Sequence, residues 1–141
     1  MAGTAHTIFV GRPHEFDTSI FGIEYRHTGA GSFEIRAWVQ QPAGQTLTTD
    51  WYGITNAWHI LEIKWESGTA TTFSLSIDGT LHELTGVDTS AYLVDEVWLG
   101  PSQGLTAGMA GTEYFDDFNS FRPGVYLRTY LPIMGKNAGD E

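Results

Sequence analysis

Apolar side chains recur at every second position in one segment after another, and this period constrains the fold more than any other feature of the chain. Phe21, Ile23 and Tyr25 fall on one parity, with Gly22, Glu24 and Arg26 on the other, as a strand with one buried face requires. Phe33, Ile35, Ala37 and Val39 repeat the pattern against Glu34, Arg36, Trp38 and Gln40, and the glycine-rich turn at residues 29–31 joins the two segments into a hairpin. A third strand over residues 58–66 points Leu61, Ile63 and Trp65 inward and Ile60, Glu62 and Lys64 outward. A fourth follows with Phe73, Leu75 and Ile77 inward. Asp78-Gly79 then marks a two-residue hairpin, because a type I′ turn needs positive φ at both central residues. Residues 94–99 and 114–121 read as two further strands. No segment sustains a helical period. Short strands with a turn signal every ten or so residues predict an all-β sandwich.

Composition agrees and narrows the function classes. The chain of 141 residues is the size of one domain, and its 17 glycines and many aromatic and threonine residues favour sheet joined by tight turns. Seven Lys and Arg against 17 Asp and Glu give a net charge of −10, which repels phosphate backbones and anionic lipid headgroups. Nucleic acid and membrane insertion are therefore not expected. The acidic surplus serves either as oxygen ligands for a hard cation such as Ca²⁺ or as a solubilising shell. There is no cysteine, so disulfides, thiolate nucleophiles and sulfur metal sites are excluded. No signal-peptide pattern and no run of 18 apolar residues occurs; if the protein is exported, the signal lies outside this chain. The composition shifts only after Pro123, so the expectation is a sandwich over residues 1–123 and a C-terminal strand or tail over residues 124–141. As a strand, the tail would cover an open edge, with Pro132 blocking further pairing.

Four pieces in order carry a family resemblance: Trp58-His59-Ile60-Leu61-Glu62-Ile63-Lys64-Trp65, then Phe73-Ser74-Leu75-Ser76-Ile77-Asp78-Gly79, then Val97-Trp98-Leu99-Gly100, then Tyr114-Phe115-Asp116-Asp117-Phe118-Asn119-Ser120-Phe121-Arg122. Together they resemble the laminin-G-like branch of the concanavalin A-like lectin/glucanase superfamily. The resemblance implies an antiparallel two-sheet jelly-roll sandwich in an extracellular or cell-surface setting. It also implies strands preceding the segment His6-Thr7-Ile8-Phe9-Val10 and pairing with the closing strand, although only residues 1–5 precede it here. Two readings stay open: a complete fold in a shifted alignment, or a divided domain with an uncovered edge that a partner strand closes. From the same resemblance, Asp116 is the candidate ligand of a structural Ca²⁺; the alternative is that Asp116 and Asp117 are solvated or capping carboxylates at a strand bend.

Catalytic machinery is not matched. The glucanases of that superfamily place two glutamates on one strand to flank the glycosidic bond, and Glu62-Ile63-Lys64-Trp65-Glu66 has a lysine where they carry an aspartate. Lys64 would hold both neighbouring carboxylates ionised, against the raised pKa of a general acid. His6, His14, His27, His59 and His82 show no metal-ligand spacing, and no serine elbow or phosphate-cradling glycine loop is present.

The polar row opposite the core is the candidate ligand-binding face: Glu24, Arg26, Glu34, Arg36 and Trp38, joined by Glu62 and Lys64 if their strand is a neighbour. Sugars stack their C–H faces on aromatic rings and give their hydroxyls to charged groups, so Trp38 among these residues suits them. The plainer reading is a solvated sheet face held by cross-strand ion pairs. Trp51 and Tyr52 are a second aromatic platform or a lid over the sandwich edge. Three functions follow: a non-catalytic carbohydrate-binding module of a larger extracellular bacterial protein, a structural or adhesive sandwich that self-associates as a homo-oligomer or accepts a partner strand, and a glucanase-type hydrolase.

Overall fold

A computed structural model describes residues 3–15, 17–121 and 126–136, and for residues 121 and 126–136 the backbone pairing only. The described strands are β1 (Ala5–Arg12), β2 (Phe21–Gly29), β3 (Ser32–Gln41), β4 (Gln45–Thr48), β5 (Tyr52–Ile54), β6 (His59–Glu66), β7 (Thr71–Ile77), β8 (Thr80–Val87), β9 (Glu96–Gln103), β10 (Thr112–Phe115), β11 (Asn119–Phe121) and β12 (Tyr126–Lys136). They form two antiparallel sheets packed face to face, an all-β sandwich. Sheet A runs β4-β3-β2-β1-β9, with β5 also on β3; sheet B runs β10-β12-β6-β7-β8, with β11 also on β12.

The predicted inward rows are the core. Phe21, Ile23, Tyr25, Phe33, Ile35, Ala37 and Val39 of sheet A meet Leu61, Ile63, Trp65, Phe73 and Leu75 of sheet B, all buried. The Phe21 ring sits 5.8 Å from Trp65 and 6.0 Å from Phe73 across the interface. Each such ring, fully buried, contributes about 2–3 kcal/mol by removing apolar area from water. The two sheets are therefore locked by the alternation itself, since a one-residue slip would turn either row to solvent.

Both predicted hairpins form. Ala30 and Gly31 connect Gly29 to its partner Ser32, and Asp78 and Gly79 adopt φ of 50° and 85° between Ile77 and Thr80, the left-handed pair of a type I′ turn. Two short strands escaped the sequence reading, β4 and β5, which pair with opposite ends of the outer edge of β3.

The strand around Ile8 is not an uncovered edge. β1 lies between β2 and β9, hydrogen-bonded to both, and the tyrosine-led segment, expected to pair with strands preceding β1, lies in sheet B instead. That segment is two strands, β10 and β11, broken at residues 116–118 where Asp117 takes φ of 51°. Both pair with β12, whose other side pairs with β6 from Tyr126 to Ile133. The segment expected to cover an open edge thus covers β6, and it is itself covered by β10 and β11. Pro132 lies where the ladder on the β10 and β11 side is interrupted, a position that tolerates a residue lacking an N–H. The composition shift at Pro123 and the chain beyond residue 136 lie outside the described residues.

Candidate functional site

Register decides which of the predicted polar residues meet. In the β2–β3 ladder Glu24 stands directly opposite Arg36, and Arg26 directly opposite Glu34. Cross-strand partners share a face, so all four project from the outer surface of sheet A. Arg36 Nε lies 2.5 Å from Glu24 Oε2, and an Arg26 amino group lies 2.6 Å from Glu34 Oε2. Glu62 and Lys64 do not join them. Their strand, β6, belongs to sheet B, which turns them to the opposite outer face of the sandwich.

The plate on this face is Trp51. The Arg26 guanidinium carbon sits 4.0 Å from the centre of its ring, and that of Arg36 4.5 Å, so one indole rests on two cations already neutralised by carboxylates. Its position is set by Thr49, a buried residue between β4 and β5. The Thr49 hydroxyl accepts the Ala37 N–H at 3.0 Å and donates to the Asp50 carbonyl at 3.0 Å, while the Thr49 N–H donates to the Ala37 carbonyl at 2.9 Å. This double tether to the middle of β3 folds the connecting segment over the sheet. Trp51 is left half-buried.

Trp38, expected as the apolar plate, is instead a covered residue with 8% of its surface accessible. It lies flat because its cross-strand neighbour is Gly22: a Cβ there would fall 2.8 Å from the indole and 2.6 Å from the Phe9 carbonyl oxygen. Tyr52, the first residue of β5, parts from Trp51. It pairs in register with inward-facing Ile35 and stacks on His82 of β8, with ring centres 3.6 Å apart, closing the sandwich edge between the sheets. The two aromatics are therefore not one platform.

A second tryptophan on the same surface was missed. Val10 pairs with Gly22 on one side and Trp98 on the other, which aligns Trp98, Val10, Gly22 and Trp38 in one outward row. Trp98 is 48% exposed, and the Arg12 guanidinium carbon lies 4.1 Å from its ring centre. Arg12 in turn contacts Glu96 at 3.1 Å and Asp17 at 3.3 Å. The unit repeats that of Trp51: an indole carried on an arginine whose charge a carboxylate balances. Its signal, an arginine and a tryptophan 86 positions apart in the sequence, becomes visible only when β9 is known to pair with β1.

Asp116 is exposed, and its Oδ1 accepts the Asp117 N–H at 2.9 Å, capping the bend between β10 and β11. Among the described residues no group of three or more His, Cys, Asp or Glu is placed to hold a metal ion. Glu62 lies opposite Ser76, and Glu66 opposite Tyr126, on the outer face of sheet B.

One polar cluster lies inside. His6 of β1 and Glu113 of β10 meet across the two sheets, Nε2 to Oε1 at 2.6 Å. The Tyr25 ring stands edge-on to His6 at 5.5 Å. Burial, and then the nearby Glu113 carboxylate, push the Tyr25 phenol above its ordinary value. On sheet B, His59 Nδ1 lies 2.7 Å from Asp78 Oδ2, and the Ile60 N–H donates to Asp78 Oδ1 at 2.8 Å. The hydrogen bond from His59 outweighs the opposing effect of burial and, helped by the weaker hydrogen bond from Ile60, holds the Asp78 carboxyl below the usual carboxylate value.

No protein-family model, no curated protein and no solved structure matches this chain.

Proposed function

We propose that the protein is a non-catalytic binding module that takes carbohydrate on the outer face of sheet A, with Trp51 as the stacking plate. One observation carries the reading: the Trp51 ring is held on Arg26 and Arg36, each already paired with a glutamate. Exposed ion pairs and cation–π contacts contribute on the order of 1 kcal/mol or less apiece, so folding has little need of this assembly. A flat, rigid apolar plate bordered by carboxylate oxygens and guanidinium N–H groups suits a pyranose, whose C–H face stacks while its hydroxyls find partners of both kinds. The laminin-G-like relationship and an extracellular or cell-surface setting belong to the same proposal.

A glycan array is the test. Binding that Trp51→Ala abolishes, with the thermal transition unchanged, supports the reading; absence of binding across a broad panel overturns it. The competing function is strand acceptance at β9, which among the described residues has a ladder neighbour on one side only and exposes Trp98 and Leu99. Against it, Thr7 pairs with Gln103 and Phe9 with Leu99, so residues 100–102 bulge opposite the single Ile8. A bulge containing Gly100 and Pro101 shortens the edge a partner strand would need. Concentration-dependent self-association in light scattering, lost on Leu99→Lys, would favour that alternative.

A further inference from the structure

We propose that Trp98, carried on Arg12 and Glu96, is a second stacking plate of the same face, and that the ligand is an extended, uncharged polysaccharide chain engaging both tryptophans. The inference rests on the carbohydrate reading above and specifies its ligand class.

Two observations lead to it. The first is repetition. Trp51 on Arg26 and Arg36, and Trp98 on Arg12, are independent instances of one unit, an accessible indole backed by an arginine that a glutamate neutralises. Trp98 comes from β9 and Trp51 from the segment before β5, yet the register through Val10 and Gly22 brings both to one surface. Trp98 sits on β9 and Trp51 over β2 and β3, two to three strands away and several residues along, a separation of roughly 15 Å from sheet spacings. A single sugar ring cannot cover both plates. A chain of several can.

The second observation is charge. Arg12, Arg26 and Arg36 all lie against carboxylates, and the chain as a whole carries −10. Among the described residues no uncompensated arginine on this face would draw sulfate or carboxylate groups, and the net field opposes a polyanion. The chemistry that remains is stacking and neutral hydroxyl hydrogen bonding, which selects an uncharged chain.

Affinity for oligosaccharides of β-glucan, xylan and mannan, each from disaccharide to hexasaccharide, is measured by titration calorimetry with the intact chain, Trp98→Ala and Trp51→Ala. Affinity should rise with length in the intact protein. Trp98→Ala should weaken the hexasaccharide by up to about tenfold, the scale of one aromatic stacking contact, and leave the disaccharide unchanged; Trp51→Ala should remove both. Hexasaccharide affinity untouched by Trp98→Ala, with Trp51→Ala still abolishing binding, overturns the second plate while the carbohydrate reading stands. Tighter binding of a sulfated chain such as heparin overturns the uncharged ligand. If no oligosaccharide of any length binds, the carbohydrate reading fails and this proposal fails with it. Thermal melts of both variants confirm that folding is intact; where Trp98→Ala unfolds, Trp98→Phe, which keeps a smaller plate, should show a weaker version of the same length dependence.

Discussion

On the outer face of sheet A, arginines meet glutamates at the water boundary; between the sheets, His6 meets Glu113 with almost no water around it. Side-chain exposure is 28% for both members of the Arg26–Glu34 pair and 8% and 13% for His6 and Glu113. Contact distances are alike, so distance does not separate the two regions. Solvent does. At the surface, high dielectric weakens the attraction and water readily takes over a lost contact. In the interior, a group deprived of its partner has nowhere to turn, and His6 Nδ1 and Glu113 Oε2 are already without hydrogen-bond partners among the described residues. The buried pair therefore matters to folding, and the surface pairs are free to serve recognition.

The largest effect that would break this comparison is at Glu113. Glu113→Ala leaves His6 Nε2 buried and unpartnered, and it should cost about 1–3 kcal/mol in urea unfolding, the desolvation penalty of an unsatisfied buried polar group. Replacing both residues together, His6→Leu with Glu113→Leu, should recover much of that loss, since apolar groups of similar volume carry no desolvation penalty. A Glu113→Ala protein as stable as the parent would remove the distinction between the regions.

Smaller effects follow from titration. The Tyr25 phenol is raised, first by burial and then by Glu113. The unfolded chain ionises near the ordinary value of 10.0 while the folded chain still resists, so stability is retained below that pH and declines as pH rises above it. Tyr25→Phe should flatten this alkaline decline in a pH series of urea midpoints. Asp78 stands between the two extremes, half exposed beside a His59 that is largely buried. Its carboxyl is lowered, chiefly by the His59 hydrogen bond, so its contribution is present above the usual 3.8 and is lost as pH falls through the depressed value. Asp78→Asn should lessen the acid sensitivity measured in the same series.

The interior of both sheets was legible because alternation is a local signal: Phe21, Ile23 and Tyr25, or Leu61, Ile63 and Trp65, announce a buried row without reference to any partner. The hairpins at Ala30-Gly31 and Asp78-Gly79 were legible for the same reason. What was not legible is which strands become neighbours across long separations. His6 and Glu113 are 107 residues apart; Arg12 and Trp98 depend on β9 reaching β1; and Glu62 and Lys64 share the parity expected of the binding face yet sit on the other sheet. Parity says which residues face the same way, not which sheet holds them. Trp38 shows a further limit, since its outward parity was read correctly while its burial depended on Gly22 across the strand. The short strands β4 and β5 carry too few alternations to register at all, and with them went the orientation of Trp51 and Tyr52.

The smallest predicted effect is the one most specific to the surface face. Arg36→Ala removes one ion pair and one of the two cations beneath Trp51, and it should cost less than about 1 kcal/mol in unfolding. A cycle with Glu24→Ala should return a coupling energy of similar or smaller size that shrinks further when salt is raised, because both groups are reached by solvent ions. Trp51, by contrast, should become more mobile, which the drop in indole fluorescence anisotropy on Arg36→Ala can follow in a Trp58→Phe, Trp98→Phe background, where the two other remaining indoles, Trp38 and Trp65, are buried and contribute alike with and without Arg36. A large loss of stability would mean that the face is structural after all, and the case for Trp51 as a plate held ready for a ligand would lose its physical ground. Small thermodynamic cost with increased indole motion is the outcome that a recognition surface requires, since rigidity there would be maintained for the ligand and not for the fold.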